Sequence, residues 1–313
     1  MSAQSAGPQI RVADERDLAA LYALAKAALS FDSFSVDLLA EKLFRVPRPD
    51  REEYCVYVAE QGDAPVGMMQ AVWRPAEAKG WLGLFAVPTD RRRRGIATAL
   101  LERVSRDWLR AGVSQVEALT IPGNYFMPGL DPRYTEALCF LERHRFERFK
   151  DCVNLVADLS AEFHTAGDEQ RLRQIGITVR RAHPGDDGLL DAFFAEHFGA
   201  DWRMEVELAM RNDPPALHVA VKAGRVIAFS AHSAQNREWG FFRPMGTAPE
   251  DRGTGIGRVL LRRCLNDMRA AGHERSVIPW VGPIGYYARY VPCHVDRVFW
   301  RYRRAVGNLR TPD

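Results

Sequence analysis

Along this chain the apolar positions follow strand and helix periods in a fixed order, and that order occurs twice. Ile10-Arg11-Val12-Ala13 reads as a short strand. The acidic turn Asp14-Glu15-Arg16-Asp17 can then cap a helix running to about Leu29. Thr178-Val179-Arg180-Arg181-Ala182, the turn His183-Pro184-Gly185-Asp186-Asp187 and a helix to about Phe198 repeat that opening. Second helices are predicted near 36–45 and 202–211. Paired strands are predicted near 54–60 with 65–74 and near 217–222 with 225–235, turning at Asp63 and at Ala223-Gly224. Further on, a strand (Trp81, Leu82, Leu84; Phe241, Phe242, Met245) leads through a polar turn into a helix with one apolar face. Those faces are Ile96-Leu100-Leu101-Val104-Trp108 and Ile256-Val259-Leu260-Cys264-Met268. Self-similarity of such a long period marks a duplicated unit.

With 313 residues, the chain is long enough for two domains. We place them at 1–160 and 175–313, joined by a polar, helix-tolerant linker over 161–174. A hydrophobic share of 47% and a charged share of 27% are those of an ordinary globular protein, and a net charge of +3 is too small to imply nucleic-acid binding. Cys55, Cys139, Cys152, Cys264 and Cys293 are odd in number and form no CxxC pair, so they read as free thiols in a reducing compartment. No apolar run is long enough to span a membrane, and the start Met1-Ser2-Ala3-Gln4-Ser5-Ala6-Gly7-Pro8 lacks the apolar core of a signal peptide. A cytoplasmic protein is expected, with its oligomeric state open.

The turns before the two helices carry the chemistry. They read Arg92-Arg93-Arg94-Gly95-Ile96-Ala97 and Arg252-Gly253-Thr254-Gly255-Ile256-Gly257, and Gly95 and Gly255 are 160 residues apart. A strand, a tight turn and a helix start with free backbone N–H groups make a pyrophosphate site. Glycines let phosphate oxygens reach the backbone. The arginines sit where a bare helix dipole disfavours cations, a conflict that an anionic ligand relieves. Pro244 lies in the strand before the second turn and cannot donate to a ladder, which marks a locally unpaired stretch. A dinucleotide-binding Rossmann unit is the competing reading. It requires its glycine motif directly after the first strand, whereas here three strands come earlier.

With these loops the sequence resembles the GCN5-related N-acetyltransferase family over nearly its whole length, as two tandem copies. The resemblance implies an α/β fold of the α+β type: two acyl-CoA N-acyltransferase domains, each a mixed, mostly antiparallel sheet flanked by helices. It implies acetyl-CoA as co-substrate, with its pyrophosphate on residues 92–97 and 252–257. The pantetheine arm would pair with Phe85-Ala86-Val87 or Met245-Gly246-Thr247, where backbone N–H polarises the acetyl carbonyl. An amine then attacks directly, without a covalent enzyme intermediate, and a tyrosine protonates the departing thiolate.

In the second copy Tyr287 fits the family's tyrosine position, with Tyr286 its alternative one residue away; in the first copy Leu141 stands there and Arg145 replaces the family's glycine. Leucine cannot donate a proton, so the second copy is expected to be catalytic. Glu238, read as the start of the fourth strand, is the candidate general base, and His232 is a second candidate. The segments 122–132 and 279–283, rich in Pro, Gly and aromatics, are expected to shape the pocket of a small amine acceptor. The histidines and cysteines show no metal-ligand spacing, so no metal is expected. Two other readings stay open: a non-catalytic CoA-binding or regulatory module, and a protein N-acetyltransferase.

Overall fold

The computed structural model describes residues 7–45, 50–62 and 64–308; Asp63 and most of the N-terminal stretch 1–8 lie outside them. The chain divides into two units, Met1–Cys152 with Phe299–Asp313, and Val153–Val298. The first contains β1 (Gln9–Val12), α1 (Leu18–Ala28), α2 (Val36–Phe44), β2 (Glu53–Gln61), β3 (Ala64–Arg74), β4 (Lys79–Ala86), α3 (Ile96–Arg110), β5 (Gln115–Ala118), α4 (Thr135–Arg143) and the start of β6 (Glu147–Asp158). Strands β1 to β4 form an antiparallel meander, and β5 then pairs parallel with β4. Tyr302–Ala305, from the far end of the chain, pairs antiparallel with β5. Ile96, Leu100, Leu101, Val104 and Trp108 fall on one face of α3 and are at most 2% exposed, packed on Tyr57, Met69 and Ala71 of the sheet. Each such side chain contributes about 1.5–3 kcal/mol by leaving water.

The second unit contains the end of β6, α5 (Ala166–Gln174), β7 (Ile177–Arg181), α6 (Asp187–His197), α7 (Ala200–Met210), β8 (Leu217–Lys222), β9 (Arg225–His232), β10 (Phe242–Thr247), α8 (Ile256–Ala270), β11 (Arg275–Val281), α9 (Ile284–Tyr290) and the start of β12 (Cys293–Ala305). Strands β10, β9, β8 and β7 form one antiparallel sheet in that order. Its two faces are buried separately. Helices α6 and α7 pack Phe193, Phe194 and Val206 on Val219 and Phe229. Helix α8 packs Ile256, Val259 and Leu260 on Val179, Ala220 and Ile227. The β8–β9 hairpin turns at Ala223 and Gly224 with φ of 49° and 74°, the paired left-handed residues of a two-residue turn.

Two boundaries differ from those expected. Residues 161–174 carry α5, which packs Leu172 (3% exposed) into the second unit's core and holds Arg258 and Arg263 of α8 through Asp168 and Glu169. Its polar composition comes from lying with one residue inward. Residues 299–308, expected in the second domain, belong to the first unit; 309–313 lie outside the described residues.

Asp267 of α8 gathers charge beneath the second sheet. Its carboxylate accepts from His218 Nε2 at 2.7 Å and His232 Nε2 at 3.4 Å and pairs with Arg181 at 2.7 Å. Burial acts to raise its pKa, but these partners outweigh burial and hold the group well below the usual carboxylate range. Burial lowers the His218 pKa despite the Asp267 contact. As pH falls through about 6.5, unfolded His218 takes up a proton that the folded chain refuses, so stability falls. Asp267 adds no slope there, because its contribution is lost only below about 3.9. The drop in thermal midpoint between pH 7 and 5 is therefore expected to shrink in His218→Gln. Equal drops in parent and variant would refute this.

Candidate active site

In each unit two neighbouring strands part and a helix begins at the opening. In the second unit Phe241 and Val277 make a parallel bridge, after which β10 stays with β9 and β11 with β6. The β10–β9 pairing skips from Phe242 to Met245, so Pro244 sits in the irregularity, as its missing N–H requires. In the first unit β4 and β5 pair through Leu82↔Ala118 and then separate. The residue where β5 or β11 turns away has a left-handed backbone in both, Leu119 at φ 65° and Trp280 at φ 53°.

The loops that follow superimpose in their hydrogen bonding. Arg91 and Asp251 donate their N–H to Pro88 O and Ala248 O at 2.9 and 3.1 Å. Arg92 Nε donates to Val87 O at 3.0 Å and Arg252 Nε to Thr247 O at 3.3 Å. Arg93 and Gly253 have φ of 61° and 82°, and Gly95 and Gly255 have φ of 74° and 90°. Glycine adopts this region freely, whereas a non-glycine residue costs about 1–2 kcal/mol there. Both helices begin directly after, at Ile96 and Ile256, with no side-chain cap among the described residues. Their first-turn N–H groups have no intrahelical partner and the positive end of the dipole lies at the loop, an arrangement able to hold an anion.

Phe85 and Ala86 close β4, Val87 follows it, and Met245, Gly246 and Thr247 end β10. Arg93 and Arg94 are exposed at the loop. Arg92 is turned back toward the protein, pairing with Glu136 at 3.0 Å besides its bond to Val87. Ala97 and Gly257 lie in the first helical turn. A methyl group on Gly257 would overlap the Tyr286 hydroxyl, which is buried and without a hydrogen-bond partner.

The tyrosine positions separate the units. Tyr287 of α9 packs edge-on against Phe242 of β10, with centroids 6.4 Å apart. Burial pushes its pKa up to about 12, and the charge of Arg243 acts against that rise. In the first unit Leu141 is fully buried, and Phe140 lies against Phe85 with centroids 5.7 Å apart, so neither position bears a hydroxyl. Arg145, where the family has glycine, keeps glycine's left-handed backbone at φ 59°.

The candidate bases are placed differently from expectation. Glu238 does not begin β10; it is exposed in a helical turn, Arg237–Trp239, ahead of the strand. Asn236 and Gly240, both left-handed, fold the chain there into a turn. His232 does end β9, but its Nε2 is directed to Asp267 beneath the sheet. Sequence reasoning missed Glu205 of α7. It is 2% exposed and accepts from Arg243 Nη2 at 2.8 Å, while Arg243 lies 5.9 Å from the Trp280 ring. No local motif signals a pair 38 positions apart. Of the segments expected to shape the acceptor pocket, 122–132 is largely buried, with Asn124, Tyr125, Leu130 and Asp131 at most 5% exposed, whereas Gly282 and Pro283 are exposed. Ligand atoms of Glu196, His197 and Glu250 lie within 4.8 Å of one another beside the second loop, close enough to hold a cation. Glu196 is already paired with Arg225 at 2.9 Å.

The acetyltransferase (GNAT) family model matches residues 19–125 and 186–288, and the chain belongs to that family. No curated protein matches the sequence. Among solved structures, a GCN5-related glucosamine N-acetyltransferase region of a fungal multi-domain GH3 beta-N-acetylglucosaminidase superimposes with TM-score 0.81 at 18% identity; it covers 97% of this chain, which spans 39% of that protein. A GCN5-related N-acetyltransferase from Sphaerobacter thermophilus gives 0.72 at 16% identity over 96% of both chains. A tandem GNAT protein from the clavulanic acid biosynthesis pathway gives 0.70 at 14% identity over 97% of this chain and 100% of its own. Two tandem GNAT domains are thus the architecture. Among the described residues no helix is long and apolar enough to cross a membrane.

Gly255→Asp should combine a strained backbone with a carboxylate at the loop before α8. Calorimetry is expected to show CoA binding to the second loop weakened by roughly tenfold or more, the equivalent of about 1.4 kcal/mol. Unchanged affinity and stoichiometry would remove this loop from the site.

Proposed function

We propose that the second unit transfers an acetyl group from acetyl-CoA to a small amine. The observation that carries this reading is the place of Tyr287: it packs beside the opening between β10 and β11, in the unit whose loop holds Gly253, Gly255 and Gly257. The pyrophosphate would lie on the N–H groups at the start of α8, and the pantetheine arm would pair with Met245–Thr247. The amine nitrogen attacks the thioester carbon, whose oxygen takes a hydrogen bond from the β10 backbone. The N–C bond forms, the C–S bond breaks, and the electron pair leaves on sulfur. A phenol with its pKa near 12 stays protonated at neutral pH and donates to that sulfur as its charge develops. Arg243 favours the transfer by easing the phenol's ionisation. We assign Glu238 the role of removing the amine proton through water, and Glu205 is the alternative carboxylate.

The first unit keeps the loop but has phenylalanine and leucine at the tyrosine positions. We assign it CoA binding or a structural role without turnover. Five free thiols fit a reducing, cytoplasmic setting. The test is thiol release from acetyl-CoA across amino sugars, amino acids, polyamines and aminoglycosides, with glucosamine first because of the fungal structure. Acceptor-dependent release that survives Gly95→Asp and is lost in Gly255→Asp supports the reading; no release with any amine would leave a CoA-binding module.

A further inference from the structure

Aromatic rings wall one face of the strand to which the acyl donor is assigned. Gly246 lies in β10 and pairs with Phe229 of β9. A Cβ placed on it would be 2.5 Å from Phe198 Cζ and 2.9 and 3.0 Å from Cε1 and Cε2. The ring edge of Phe198 therefore rests on the glycine backbone, in space that a side chain would otherwise fill. Phe198 directly follows α6 and stacks on Trp202 of α7, with centroids 5.0 Å apart and planes at 14°. Phe193 and Phe229 contact it with centroids at 5.5 and 5.7 Å, and both are nearly fully buried. Three rings thus hold the edge of a fourth against β10, on the sheet face that α6 and α7 cover. In the first unit Ala86 stands at the matching position and supplies its own methyl group.

We infer that Phe198 limits the acyl group carried by the second unit to the two-carbon class. The inference rests on the acyl-transfer reading above. There the thioester carbonyl takes its hydrogen bond from the strand that contains Gly246. The carbons beyond that carbonyl begin beside this glycine, and on the α6–α7 face they meet Phe198. One methyl group fits against a ring edge. A longer chain must displace a half-buried ring whose contacts with the half-buried Trp202 and the buried Phe193 and Phe229 hold it in place, and those contacts resist the displacement. Gly246 is small because the ring takes its side-chain space, so ring and glycine together set the depth of the acyl site.

The test measures binding of acetyl-CoA, butyryl-CoA and hexanoyl-CoA by calorimetry, each relative to free CoA. The full-length chain carries Gly95→Asp so that only the second loop is read. The parent is expected to prefer acetyl-CoA over butyryl-CoA by roughly tenfold or more, the size of discrimination that a methylene or two brings in a closed apolar site. Phe198→Ala should remove most of that preference. Phe198→Leu, which keeps apolar volume if the alanine variant does not fold, should relax it for butyryl-CoA but not for hexanoyl-CoA. An equal preference in parent and both variants, or no preference in the parent, overturns the assignment of Phe198 while leaving acyl transfer standing. If the parent binds neither CoA nor any acyl-CoA at the second loop, the acyl-transfer reading falls and this one with it.

Discussion

Tyr287→Phe is expected to lower acetyl transfer by roughly 10²–10⁴-fold, the usual effect of losing a positioned general acid. Acetyl-CoA affinity should hardly change, because the ring and its edge-on contact with Phe242 remain. The melting temperature should stay near that of the parent for the same reason. Tyr286→Phe is the matched control. Its hydroxyl is buried over Gly257 without a partner, and burial holds its pKa high. Removing an unsatisfied buried hydroxyl is neutral or stabilising, so this variant should melt at or above the parent's temperature and turn over normally. Full activity in Tyr287→Phe with loss in Tyr286→Phe would move the acid by one residue. Full activity in both would place it elsewhere.

Ending the chain after Val298 is expected to unfold the first unit while sparing the second. Phe299, Tyr302 and Val306 are at most 1% exposed inside the first unit, and Arg304 is 6% exposed. Tyr302 donates to Glu142 at 3.0 Å, Arg304 donates to Ser105 at 3.0 Å, and Val306 N–H donates to Ser114 O at 2.9 Å. Each large buried side chain lost costs about 3–5 kcal/mol. A few such losses equal the whole stability of a typical domain, about 5–15 kcal/mol. Hydrogen exchange should show β2 to β5 deprotected and β7 to β10 protected. Unchanged protection of β2 to β5 would show that the C-terminal strand is dispensable to the first unit.

The candidate site was legible in part. The loops could be read because their chemistry is local: a strand, a turn and a helix start are contiguous, and the glycines needed at φ 74° and 90° are written in the chain. Tyr287 could be placed because it stands at a fixed distance after β11. Arg93 gave no sign of its left-handed backbone, because nothing in an arginine announces φ of 61°. Glu238 was misplaced by a turn whose left-handed corners are an asparagine and a glycine, ordinary residues for a strand end. Phe198 counted as one more apolar residue ending a helix. Its position on Gly246 depends on how α6 lies across β9 and β10.

By itself the sequence determined the alternation of strands and helices, the duplication, and the two tight loops before helix starts, with a tyrosine-bearing helix in one copy only. All of these rest on periodicity and on short-range backbone geometry, which act within a few residues. Only the tertiary structure decided that Ala166–Gln174 pack as a helix in the second unit, that Tyr302–Ala305 pair with β5 in the first unit's sheet, and that Glu205 meets Arg243. A strand's pattern states which face is apolar but not which strand it will pair with. That choice is made by burial and hydrogen bonding between segments far apart in the chain.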